Sequence, residues 1–202
     1  MRVTGVIQAG GKSTRMGGAP KALMELGGRR IVERVVAAIA PVVDDVLVVT
    51  NTPELYAFLG LPMVGDVFPD GGSLGGIYSG LRGASGDAAF TVACDMPFVS
   101  PEVARLVVMR AREAEADIVI PRTGDQLETL HACYAKACLP HMEERLRSQR
   151  LKIVGFFDAV RVLEIPEAEV RRLAEPTVVF MNVNTPEELE RARELEQRRA
   201  GA

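Results

Sequence analysis

The chain has 202 residues, 48% of them hydrophobic and 25% charged, with a formal net charge of −3. This composition predicts one soluble globular domain over residues 1–202 and argues against broad nucleic-acid binding, since no face need be strongly basic. The richest apolar stretch, 31–43, is broken by Glu33, Arg34 and Pro41, so no segment reaches the 18 or more apolar residues that span a membrane. The first strand begins at residue 3, leaving no room for a signal peptide, and three cysteines without a paired framework read as reduced and cytoplasmic.

The first predicted strand, 3–8, runs directly into Gly10-Gly11, then Lys12, Ser13, Thr14 and Arg15, with Lys21 just beyond. Glycines let the backbone turn sharply and bring its N–H groups close to a ligand, and the three cations add positive charge where those amides point. The combination suits a polyphosphate, and hence a nucleotide. A Walker A loop would need glycine at the position of Val6, and the dinucleotide fingerprint G-x-G-x-x-G is absent here. The plain alternative is a strand-to-turn junction with basic surface residues.

A helix over 31–40, a strand over 46–50 and a helix over 53–59 follow. A short strand at 63–65 leads to Asp66 and a second glycine-rich loop, Phe68-Pro69-Asp70-Gly71-Gly72-Ser73-Leu74-Gly75-Gly76, which feeds a helix over 74–83. The loop backbone could approach a base or ribose while Asp66 accepts hydrogen bonds; Asp70 reads as a turn former. The strands at 46–50 and 88–93 are almost continuously apolar, as expected of strands covered on both faces. The latter ends at Cys94-Asp95-Met96-Pro97, so the Asp95 carboxylate emerges at the sheet's C-terminal edge. Magnesium takes one or two carboxylates plus phosphate oxygens, which makes Asp95 the metal candidate; the alternative is a turn residue two before a proline.

Ser100-Pro101-Glu102 caps a helix over 101–115, and strands are predicted at 117–121 and 129–134, then a helix over 139–149. His131, Cys133, Cys138 and His141 offer four potential zinc ligands within eleven residues. Their spacing matches no common zinc module, and Cys133 reads better as strand packing. A strand at 178–181 precedes a helix over 186–198, capped by Thr185-Pro186-Glu187. On it Glu187/Arg191 and Glu194/Arg198 stand at i,i+4, marking a solvated face. Alternating strands and helices imply an α/β fold, a doubly wound and mostly parallel sheet with helices on both faces, whose ligands sit beyond the strands' C-terminal ends.

With these residues placed, the chain resembles the molybdenum cofactor guanylyltransferases, a nucleotidyltransferase family with a Rossmann-like fold of the nucleotide-diphospho-sugar transferase type. The family's opening Leu-Ala-Gly-Gly, basic stretch with Arg-Met-Gly, and lysine are similar to Gln8-Ala9-Gly10-Gly11, residues 12–17, and Lys21. Its aspartate before Gly-Pro-Leu-Ala-Gly corresponds to Asp66 before Gly72-Ser73-Leu74-Gly75-Gly76. Its Cys-Asp-Met-Pro-Phe corresponds to Cys94 through Phe98, and its closing Asn-x-Asn-Thr-Pro to Asn182-Val183-Asn184-Thr185-Pro186. Two departures stand out: Gln8 replaces the usual leucine, and Pro20 replaces a frequent aspartate, removing a carboxylate partner for Lys21.

The resemblance implies transfer of GMP from GTP to molybdopterin-bound molybdenum cofactor, with release of pyrophosphate. It implies Mg2+ on Asp95, Arg15, Lys21 and Asp95 as the catalytic set, and Lys12 with Arg15 on the β- and γ-phosphates. Gln8, Ala9, Gly10, Gly11, Asn51 and Asp66 would line the guanosine side, while Asn182 and Asn184 would face the pterin. It also implies transient contact with other molybdenum cofactor enzymes, and no membrane or nucleic-acid partner. The rival activities are CMP transfer to the same acceptor, nucleotidyl transfer to a sugar phosphate, and a nucleotide-binding regulatory module without turnover.

Overall fold

The computed structural model describes residues 1–10 and 20–200. In chain order the elements are β1 (Val3–Gln8), the hairpin of β2 (Glu25–Leu26) and β3 (Arg29–Arg30), α1 (Ile31–Ile39), β4 (Asp45–Val49), β5 (Met63–Val64), α2 (Gly72–Gly83), β6 (Ala88–Ala93) and α3 (Pro101–Glu113). Then come β7 (Ile118–Thr123), β8 (Gln126–Leu127), β9 (His131–Ala135), α4 (Leu139–Arg147), β10 (Val162–Ile165), α5 (Glu167–Arg171), α6 (Pro176–Val179) and α7 (Pro186–Ala200).

The predicted strand at 3–8 and the apolar run at 88–93 become β1 and β6 in the middle of the main sheet, whose order is β10-β7-β9-β6-β1-β4-β5. β1 pairs in parallel with β4 on one side and β6 on the other, and β4 pairs in parallel with β5. Every residue of β1 and of β6 is buried, because helices cover both faces. One face holds Val32, Val35 and Ile39 of α1 and Val103 and Val107 of α3 against Ile7, Phe90 and Val92. The other holds Leu74, Ile77 and Leu81 of α2 and Met142 and Leu146 of α4 against Val6, Val49 and Tyr134. Each of these fully buried aliphatic side chains contributes about 1.5–3 kcal/mol over an exposed one.

α2 sits unusually close to β1. A Cβ at Gly80 would collide with the Val6 side chain, and one at Gly76 would lie 2.5 Å from Gln8 Oε1. These two glycines, one helical turn apart, let the helix press on the strand and bring its N-terminal end over the strand's C-terminus. A third cluster, with Leu26, Ile31, Phe98, Val183, Leu189 and Ala192, anchors α7 beneath that edge. Arg34 of α1 adds a two-pronged contact to Glu196 of α7, with both N–O distances 2.7 Å.

Several sequence-based expectations are corrected here. Residues 178–181 form no strand: Pro176 starts a helical turn, and the Glu175 carbonyl accepts from the N–H groups of Val178 and Val179 at 3.0 Å. Residues 53–59 form two short 3₁₀ turns, Pro53–Leu55 and Ala57–Leu59. β10 was not anticipated; it pairs in parallel with β7 at the sheet's edge, where Glu164 meets Arg122 across the strands. On α7 the Glu194–Arg198 pair forms at 3.9 Å, but Glu187 turns to Thr185 at the helix start instead of reaching Arg191. The Ser100 cap is present, its Oγ accepting from the Val103 N–H at 3.2 Å. Among the described residues, no helix is long and apolar enough to cross a membrane.

Candidate nucleotide site

The sheet order sets four strand ends side by side: Asp95 after β6, Gly10 after β1, Asn51 after β4 and Asp66 after β5. Because the chain leaves β1 to pair on both its sides, a crevice opens at this edge, the usual ligand position in an open α/β sheet. Backbone bonds hold the ends in line: Ala9 N–H donates to Val49 O at 2.8 Å, Cys94 N–H to Gln8 O at 3.1 Å and Thr50 N–H to Val64 O at 2.8 Å.

On the β4–β5 side lies a cavity of about 610 Å³, lined by Gln8, Ala9 and Gly10, by Asn51 and Thr52, by Asp66, and by the loop that starts α2. Asn51 and Asp66 lock one another. The Asp66 N–H donates to Asn51 Oδ1 at 2.8 Å, and Asn51 Nδ2 donates to Asp66 Oδ2 at 3.1 Å. Burial raises the Asp66 carboxyl above the ordinary carboxylate range, and the Asn51 bond offsets this in part. Gly10 packs tightly here: a Cβ there would lie 3.2 Å from Asp66 Oδ2. Two of the side chains that line the cavity each bury a polar atom that has no partner among the described residues, Gln8 Nε2 and Asp66 Oδ1.

On the β6 side a second group gathers. Lys21 is 6% exposed, and its Nζ donates to Asn184 Oδ1 at 3.3 Å. Asn184 is held in turn, because Glu188 Oε2 accepts from the N–H groups of Asn184 at 2.5 Å and Thr185 at 2.9 Å, while Thr185 Oγ1 accepts from the Glu188 N–H. Pro20 therefore does not leave Lys21 without an orienting partner; an amide oxygen from far along the chain takes that place. Asp95 is tied to the same segment by Val183 N–H donating to its carbonyl at 2.9 Å. Burial pushes the Asp95 carboxyl up, the nearby Lys21 charge draws it down, and Glu188 raises it further.

The site residues read from the sequence thus divide. Gln8, Ala9, Gly10, Asn51 and Asp66 share the cavity; Lys21, Asp95 and Asn184 form the neighbouring cluster, with Asn182 exposed beside it. Gly11, Lys12 and Arg15 lie outside the described residues. The structure adds Thr52, Pro69 and Asp70 to the cavity wall, and Glu188 as the residue that fixes Asn184. Thr52 had a signal in the hydroxyl-rich turn Thr50-Asn51-Thr52, where Thr50 Oγ1 accepts from the Thr52 N–H.

Among the described residues, no group of three or more His, Cys, Asp or Glu side chains gathers as a metal site. Cys133 and Cys138 belong to cores on opposite faces of the sheet, and His131 is enclosed by Phe90 and Phe180, which excludes the four-ligand zinc arrangement. A carboxylate such as Asp95, at the sheet's C-terminal edge, is the kind of ligand a hard divalent cation takes when phosphate oxygens and water complete its shell.

A mostly parallel sheet, with β9 alone running antiparallel between β6 and β7 in the main strand order, carries at its C-terminal edge a cavity with polar side chains on its wall and a lysine–aspartate cluster, and so defines a nucleotide-binding α/β protein. The chain belongs to the MobA-like NTP transferase domain family, which it matches over residues 5–160. It is 41% identical to a probable molybdenum cofactor guanylyltransferase of Pelotomaculum thermopropionicum, covering 96% of this chain and 93% of that one. It is 38% identical to a molybdenum cofactor guanylyltransferase of Desulfosudis oleivorans, covering 94% of each. The solved structure of molybdopterin-guanine dinucleotide biosynthesis protein A from Archaeoglobus fulgidus superposes with a TM-score of 0.82 at 27% identity, covering 96% of this chain and 99% of that one.

Proposed function

We propose that the protein transfers GMP from GTP to the phosphate of molybdopterin-bound molybdenum cofactor, releasing pyrophosphate. The observation that carries this reading is the juxtaposition across β1 of a cavity lined by Gln8, Asn51 and Asp66 and the Lys21–Asp95 cluster. The names of relatives aligned over nearly the whole chain support the same choice of nucleotide and acceptor.

Gln8, Ala9, Gly10, Asn51 and Asp66 receive the guanosine, whose phosphates then lie toward Lys21 and Asp95 on the other side of β1. Lys12 and Arg15 hold the β- and γ-phosphates, where negative charge grows on the departing pyrophosphate. Lys21, pre-oriented by Asn184, meets the α-phosphate, and Asn182 and Asn184 face the acceptor. Asp95 would hold Mg2+, which supplies Lewis-acid neutralisation of phosphate oxygens when bound. The acceptor's terminal phosphate oxygen attacks the α-phosphorus in line as the bond to the β-phosphate oxygen breaks. No protein nucleophile takes part, so the protein's work is positioning and charge compensation. Incubation with molybdopterin cofactor, Mg2+ and each NTP in turn, following pyrophosphate release, tests this. Turnover with GTP is expected; turnover with CTP but not GTP, or binding without turnover, would overturn it.

A further inference from the structure

Gln8 is out of keeping with its position. It ends the central strand, has a parallel neighbour on each side, and is 8% exposed. Its Oε1 rests over Gly76, while its Nε2 is buried and meets no acceptor. On the wall of the same cavity Asp66 commits Oδ2 to Asn51 and leaves Oδ1 buried without a donor. An unpaired buried donor or acceptor carries the full desolvation cost of its group, and native proteins rarely keep one without a use. Among the described residues, two side chains that line one cavity thus hold a buried donor and a buried acceptor without partners, and an apolar side chain at residue 8 would leave only the acceptor so placed.

We infer that the Gln8 side-chain amide selects the base: Nε2 donates to the 6-oxo oxygen of a guanine while Asp66 Oδ1 accepts from its N1–H. The inference deepens, and rests on, the guanylyl reading above. A 6-aminopurine presents the opposite pattern, an amino donor facing the Gln8 donor and a bare N1 facing the Asp66 acceptor. The 2-amino group plays no part in the Gln8 contact, so hypoxanthine should be read by Gln8 as guanine is.

The test is equilibrium binding to the full chain with Mg2+ and without acceptor, using GTP, ITP and 2,6-diaminopurine riboside triphosphate, with CTP measured against the wild type as well. In Gln8→Leu, GTP and ITP should weaken together by about 10-fold, and the diaminopurine nucleotide should not weaken. The preference for GTP over the diaminopurine nucleotide then falls about 10-fold, while the GTP-to-ITP ratio stays fixed. A merely structural role for Gln8 would weaken all three alike. Gln8→Glu, close in shape but without the donor, should lose the same preference and serves if the leucine variant does not fold. An unchanged preference in either folded variant overturns the inference while leaving the guanylyl reading intact. Wild-type protein that binds CTP in preference to GTP overturns that reading, and the inference with it.

Discussion

Replacing His131 by leucine should flatten the acid side of the stability profile. His131 is 0% exposed and lies edge-on between Phe90 and Phe180, each ring centroid 5.1 Å away. Among the described residues, neither of its ring nitrogens has a hydrogen-bond partner. Burial alone drives its pKa down from 6.5 to about 3, so the folded protein keeps the imidazole neutral. The unfolded chain takes up that proton near pH 6.5. The contribution is therefore fully present above pH 6.5, declines as the pH falls below it, and is lost by about pH 3. At about 1.4 kcal/mol per pH unit, the loss at pH 5 is about 2 kcal/mol. In a chain of this length that corresponds to a fall of about 4–8 °C in Tm. Thermal or urea unfolding at pH 7.5 and pH 5.0, in wild type and His131→Leu, isolates the effect, because the carboxylates' share of the slope is common to both and cancels. The variant should lose about 2 kcal/mol less than wild type between the two pH values. Identical losses in the two proteins would refute the argument and mean that the site accepts a charged imidazole.

Two further substitutions probe the site and its scaffold. Asp95→Asn should abolish GMP transfer while leaving Tm unchanged or slightly raised, since the burial that pushes the Asp95 carboxyl up no longer acts on a charge. Near-normal turnover in that variant would remove Asp95 from the metal-holding role. Gly80→Ala should lower stability by about 1–3 kcal/mol, because the new Cβ collides with Val6 on the central strand. Its urea midpoint would be unchanged only if α2 could retreat from β1 at no cost.

The central strands and their ligand edge were legible in the sequence because burial on both faces leaves an almost continuous apolar run, which residues 46–50 and 88–93 display, and because β1 runs directly into paired glycines. The edge of the sheet was not. In β10 only Ile165 is buried and Glu164 points to Arg122, so four residues carry no periodic signal. Residues 178–181 misled for the converse reason. A short apolar run fits a buried strand and a buried helical turn equally well, and Pro176 decided between them. At the site, the motifs at Gly10, Asp66 and Asp95 each located a strand end, but the contacts between motifs depend on the sheet order, which no local pattern encodes. The Asn51–Asp66 lock joins two strand ends, and the Lys21–Asn184 bond spans 163 positions. Pro20 looked like a missing partner for Lys21 because the amide that replaces it comes from the segment before α7.

The most direct measurement follows the label of [α-32P]GTP in a single turnover with molybdopterin cofactor and Mg2+. Recovery of the label in a pterin dinucleotide, matched by one pyrophosphate per transfer, is the predicted result. Label recovered as free GMP, or retained in GTP while CTP is consumed, would contradict guanylyl transfer as the activity of this site.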